Sequence, residues 1–335
     1  MAKNKAIKDT DYLYASARIK SLEKNLLTRD RLERMSEAGT TKDALKLLGE
    51  YGWPELAGPI MPAMEEALSS RRSEAFSLVR SIAPDKRLPD AFLIKYDYHN
   101  LKTLLKSEAT FDDAEDLLIE SGRFPVRQLR LMLQENSFFA MSKRMAESIA
   151  EARDVLARTR DPQLMDMILD KAMYADMLEM AESVGSKFLT DYVALMIDSV
   201  NLRSAVRLRR MGKGAEALRY AMMPGGGVSV SRLLGDVTPD LVEAVFNTSP
   251  LAAAAQTGAR ALRGEASLSD VDMACDDALL KHLKKAKYVA FGAEPLIGYL
   301  AAVEAELTSV RTVIAGRLAG LAADIITERL RDSYV

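Results

Sequence analysis

The stretch "IDSVNLRSAVRLRR" (197–210) has two unlike faces when wound as a helix. At roughly 100° per residue, Ile197, Asn201, Ala205 and Leu208 fall on one side, and Leu202 and Val206 widen it. Arg203, Arg207 and Arg210, at i, i+4 and i+7, form a stripe on the other side. Asn201 sits inside the apolar arc and Asp198 lies near it. A polar group on such a face needs a partner, such as a neighbouring helix end or a buried base.

The same pattern occurs twice more without gaps. "YDYHNLKTLLKS" (96–107) and "AELTSVRTVIAG" (305–316) align with "IDSVNLRSAVRL" (197–208). Each copy has an acid (Asp97, Asp198, Glu306) and, at i+3, a small polar residue (Asn100, Asn201, Ser309). An aliphatic residue and then a base follow (Lys102, Arg203, Arg311). Lys106 extends the basic stripe of the first copy, whereas Ala315 interrupts that of the third. A second landmark, "KAMY" (171–174) and "KAKY" (285–288), precedes the second and third copies. The chain therefore reads as three related helical units, 1–110, 111–216 and 217–335, each too long for a solenoid repeat.

Helix is the expected class throughout. Leu169, Met173, Met177 and Met180 mark one helical face, read as core packing. "TTKDALKLL" (40–48) and "SLSDVDMACDDALLKHL" (267–283) each begin with N-capping chemistry. "DDAEDLLIE" (112–120) reads as an acidic helix start, and "KHLKKAKY" (281–288) as a solvated basic face neutralised by the acids at 270–277. Breaks fall at 49–62, 83–90, 121–125, 223–227 and 248–250. Only "GVSVSR" (227–232) hints at strand. The glycines at 225–227 read as a connector, because no Lys-Ser/Thr follows them as a phosphate loop requires.

Composition narrows the function. Over 335 residues, apolar residues make up 48% and charged ones 28%, which suits a packed globular chain. The net charge of −2 and the low aromatic content speak against a nucleic-acid binder. Cys275 is the single cysteine, so no internal disulfide forms and a reducing compartment is expected. His99 and His282 stand far apart, which gives no metal-ligand spacing. No apolar run approaches the ~20 residues of a membrane span. The repeated acids have no histidine or nucleophile beside them, so a catalytic site, a cofactor and a metal are not expected. The residues alone leave the bases either solvated or at a domain or partner surface. They equally leave open a generic helical scaffold or adaptor.

The third unit carries a resemblance. "AKYVAFGAEPLIGYLAAVEAELTSVRTVIAGRLAGL" (286–321) resembles the C-terminal signature of the C subunit of the V-type/A-type rotary ATPases, the counterpart of the eukaryotic d subunit. Glu294–Tyr299, Glu304, Glu306 and Arg311 are its most specific part, and the N-terminal "DYLYASARIKSLEKNLLTRDRLERM" (11–35) is similar to the same family. Ala293, Thr308-Ser309 and Ala319 depart from the family pattern. The resemblance implies an all-α fold with three similar domains around a pseudo-threefold axis, forming a funnel. It implies a non-catalytic rotor subunit, one copy per motor and monomeric in isolation. That subunit is a socket between the central stalk, built from the D and F subunits, and the proteolipid ring. It transmits torque on the cytoplasmic face of the membrane. The bases Lys102, Lys106, Arg203, Arg207, Arg210 and Arg311 become candidates for partner contact.

Overall fold

A computed structural model describes residues 7–110 and 114–335. Fifteen α-helices and no strand occur among the described residues. In chain order they begin with α1 (Leu13–Glu23), α2 (Arg29–Glu37), α3 (Thr41–Glu50), α4 (Ile60–Ile82) and α5 (Asp90–Thr110). Next come α6 (Val126–Gln134), α7 (Lys143–Thr159), α8 (Pro162–Val184), α9 (Lys187–Arg210) and α10 (Ala215–Ala221). The series ends with α11 (Pro239–Phe246), α12 (Ala252–Arg263), α13 (Leu268–Lys284), α14 (Glu294–Leu318) and α15 (Ala323–Arg329).

Side-chain caps start many of these helices where the sequence places Ser, Thr or Asp. Thr40 and Asp43 form a reciprocal capping box on α3, and Ser267 and Asp270 do so on α13. Asp161 and Thr238 cap α8 and α11, each just before a proline whose fixed φ suits the first turn. Gly185 and Gly264 end α8 and α12 in the left-handed region (φ 77° and 84°).

The chain divides into two compact units. One joins Met1–Pro89 to Leu280–Val335, and the other is Asp90–Leu279. In the first, α14 is the central element and packs against α1, α2, α3, α4 and α15. It is apolar nearly all round, with Leu296, Ile297, Leu300, Val303, Leu307, Val310, Val313 and Ile314 buried. The C-terminal segment is tied to α2: Arg29 donates to the carbonyls of Thr327 and Leu330 (3.0 and 2.7 Å). Ile326, Leu330 and Tyr334 are buried beside it. Both ends of the chain thus build one core.

In the second unit, α8 packs on α5, α7 and α9, while α9 packs on α10 and α12. Leu202, Val206, Leu218, Leu233, Val242, Phe246 and Cys275 share one apolar cluster. A buried polar knot ties three helices. Tyr98 of α5 and Ser142, the N-cap of α7, donate to Asp176 of α8 at 2.8 Å, and Arg144 donates at 2.9 Å. The buried stripe of α8 includes Asp176 and differs from the expected one. Met165, Leu169, Ala172 and Asp176 are buried with Met177, while Met173 and Met180 are only half-buried.

Two local expectations are corrected. "GVSVSR" forms no strand; its residues make a turn and a 3-10 segment, Val230–Leu233. The Gly227 and Val228 amides are taken by Asp198, so they have no ladder to join. "DDAEDLLIE" gives only a 3-10 turn, Glu115–Leu117, and Asp112 and Asp113 lie outside the described residues. His99 of α5 holds the Leu117 carbonyl (2.9 Å) and Asn100 holds Ile119, so the chain is fixed in a non-helical path.

Candidate functional site: carboxylate clamps on the repeated helices

The three motif copies lie on the long helices α5, α9 and α14. In each, the acid reaches off its helix to a turn that leads into a short helical segment. Asp97 Oδ1 accepts from the backbone amides of Arg123 and Phe124 (2.8 and 3.2 Å), and Arg123 Nε donates to Oδ2 (2.6 Å). Asp198 accepts from the amides of Gly227 and Val228 (3.0 and 3.1 Å). Glu306 accepts from the Leu27 amide (2.6 Å) and from Arg71 Nε (2.7 Å). Phe124 and Leu27 stand at the same place, two residues before the first residue of α6 and of α2. The third copy therefore clamps a turn near the N-terminus, and its repeat is completed by the other end of the chain.

The polar residue at i+3 adds a brace in two copies. Asn100 pairs with both backbone groups of Ile119 (2.8 and 2.9 Å), and Asn201 pairs likewise with Met223 (2.8 and 2.7 Å). Ser309 is too short to reach a turn and donates to the Ala305 carbonyl of its own helix (2.9 Å). Glycine is required where carboxylate and turn meet. A Cβ on Gly122 would collide with Asp97, and one on Gly226 with Asp198. The glycine run read as a connector is thus pinned by the second clamp.

Electrostatics separate the copies. Burial raises the Asp97 and Glu306 carboxyls above the usual range, and Arg123 and Arg71 offset part of that effect. Arg71 also stacks on Trp53, 4.8 Å from the ring centre. Asp198 has no guanidinium partner among the described residues. Burial pushes its carboxyl up to about 6, against which only the two backbone amides act.

The bases face acids on the last long helix of each repeat. Lys102 and Lys106 pair with Asp170 and Asp166 of α8, both at 2.7 Å. Arg203 pairs with Asp272 and Asp276 of α13, and Arg207 with Asp272 (3.5 Å). Arg311 pairs with Glu65 of α4 through Nε (2.8 Å). Burial works against the Arg203 charge, but Asp276 outweighs it and holds the guanidinium above its usual range. Arg210 is exposed and has no ion pair among the described residues. The acids at 272 and 276, expected to neutralise the 281–288 run, are instead engaged by α9.

The structure adds Arg71, Arg123, Gly122 and the α8 acids to the site, and gives Gly226 and the acids at 272 and 276 a role other than the one the sequence suggested. A signal for the acids exists. Asp166/Asp170 and Asp272/Asp276 repeat the i, i+4 spacing of Lys102/Lys106 and Arg203/Arg207. In the third copy the second base is lost to Ala315, and Met61 stands four residues before Glu65 where an acid would match it.

A family model for the ATP synthase (C/AC39) subunit matches residues 15–329. The chain belongs to this family. It is 23% identical to the C subunit of the V-type sodium ATPase of Enterococcus hirae, over 94% of this chain and 97% of the relative. It is 24% identical to the C subunit of the A-type ATP synthase of Methanocaldococcus jannaschii, over 95% and 86%. With the C subunit of the V-type ATP synthase of Thermus thermophilus it shares 28% identity over 62% and 66%. Membership makes the chain a structural, non-catalytic subunit of a V/A-type rotary ATPase. No helix among the described residues is long and apolar enough to cross a membrane.

Proposed function

We propose that the chain is the central-rotor socket of its ATPase. It joins the D and F subunits of the central stalk to the proteolipid ring and passes torque between them on the cytoplasmic face of the membrane. The observation that carries this reading is the carboxylate clamp, used once on each of α5, α9 and α14. Torque transmission needs elements that do not yield, and each long helix is fastened to a turn by a buried carboxylate and to a long partner helix by an ion pair. The helices between them supply a dry core.

We further propose three domains around a pseudo-threefold axis as a funnel. The expected boundary at 110 falls at the end of α5 and that at 216 inside α10. The clamps favour 90–186, 187–279, and 280–335 closed by 1–89, because each unit then keeps its acid, its clamped turn and its facing helix. Among the repeated bases, Lys102, Arg203 and Arg311 serve domain geometry. Arg210, with Arg207 beside it, is the cation best placed to meet a partner.

Reconstitution tests the socket reading. A membrane ATPase assembled without this chain is expected to hydrolyse ATP in its head without pumping, and adding the purified chain should restore coupling. Purified chain that neither binds a D–F pair nor restores coupling would sink the proposal.

A further inference from the structure

Residues 278–293 carry Lys281, Lys284, Lys285 and Lys287 and no acid, within a chain of net charge −2. The second half of this stretch leaves α13 as a 3-10 turn, Lys285–Tyr288, and runs on to α14. Tyr288 is 90% exposed and Phe291 40%, and Lys285 and Lys287 are exposed beside them. Lys284 is neutralised by Asp332 (2.6 Å), whereas Lys287 donates to the Tyr334 carbonyl (3.3 Å) and keeps its charge.

The turn is held firmly from below. Lys20 donates to the Lys287 carbonyl (3.0 Å), and Ser16 exchanges hydrogen bonds with Gly292 (3.2 and 3.3 Å). On α1, which carries Ser16, Leu13 and Tyr14 are also exposed (52% and 71%). The earlier "KAMY" offers an internal comparison. There the helix continues and Tyr174 is half-buried. In "KAKY" the helix stops and turns the tyrosine outward, so core packing does not account for Tyr288.

We propose that the Lys285–Phe291 turn docks on an anionic phospholipid headgroup surface. Exposed aromatic rings beside lysines, in a stretch free of acids from 278 to 293, match the membrane interface in both polarity and charge. The turn itself offers a handful of side chains, well short of the roughly 1,000 Å² of a stable protein interface. Such a contact is weak alone and acts by steadying a subunit already held by its complex. Lipid docking and the socket role stand or fall separately.

The test is flotation of the full-length chain with vesicles of phosphatidylcholine alone or mixed with phosphatidylglycerol. The chain is expected to float with the mixed vesicles, to be released by added salt, and to ignore phosphatidylcholine. Lys285→Glu with Lys287→Glu, and separately Tyr288→Ser with Phe291→Ser, should each lower the bound fraction about tenfold or more. The Tyr288→Ser, Phe291→Ser variant should keep the parent melting temperature, because both rings are exposed, whereas the lysine variant should melt slightly lower, because Lys287 gives up its bond to the Tyr334 carbonyl. Tyr288→Trp should show a blue-shifted emission only with mixed vesicles, over the constant background of buried Trp53. No flotation, or flotation that survives both double substitutions, overturns the proposal. So does loss of the variants from the detergent-solubilised complex when no vesicle binding occurs, which would assign the turn to a protein partner.

Discussion

At the scale of single residues, the clamps show how one sequence position does different work in three settings. Asn201 satisfies a donor and an acceptor of the Met223 backbone that water cannot reach. Asn201→Ala should therefore cost about 2–4 kcal/mol, because two backbone groups lose their partner in a buried site. A urea titration measures it, and a loss below about 0.5 kcal/mol would contradict the brace. Gly226→Ala should cost about 1–3 kcal/mol, since the added methyl displaces the Asp198 carboxylate. Asp198 also titrates in an unusual range. Its folded value of about 6 lies above the ordinary 3.8, so the native state binds this proton more tightly than the unfolded chain. The stabilisation is complete below the unfolded value and disappears as pH rises through about 6. Relative to Asp198→Asn, the parent should lose stability between about pH 4 and pH 7. A parallel pair of stability curves across that window would refute it.

At the scale of elements, each long helix uses its two sides differently. The apolar side carries the energy, and the charged side sets geometry. Leu101 of α5 is fully buried, whereas its neighbour Lys102 is partly exposed in its pair with Asp170. Leu101→Ala should cost about 2–5 kcal/mol. Lys102→Ala should cost less than about 1 kcal/mol, because solvent screens the ion pair. Thermal melts of the two variants check the ratio. The sequence showed that the bases leave the apolar face of their own helix, but helical periodicity describes one helix at a time. Whether such a base meets water or an acid depends on what lies across from it, which here is α8, α13 or α4.

At the scale of the whole molecule, the decisive feature is that both ends of the chain build one unit. Residues 90–279 contain their own clamps and core, so this fragment should fold alone with cooperative melting. Residues 1–89 lack α14, the central helix of their unit, and should gain ordered helix only when 280–335 is supplied. Circular dichroism of the separate and mixed fragments tests this. Strong native helicity in 1–89 alone would count against it. Boundaries at 110 and 216, read from the three motif copies, follow chain order, and chain order cannot show that Met1–Pro89 and Leu280–Val335 form one unit.

The sequence by itself determined the all-helical class, the helix starts at Thr40 and Ser267, the threefold use of one motif and the family. These rest on local chemistry: apolar period, capping side chains and residue identity at fixed spacing. Only the tertiary structure decided what the repeated acids hold, why Gly122 and Gly226 must be glycine, which acids the bases face, and that α14 clamps a turn at Leu27. Those contacts join residues far apart in the chain, and the energy that selects them comes from burial and desolvation, which exist only once the helices have packed.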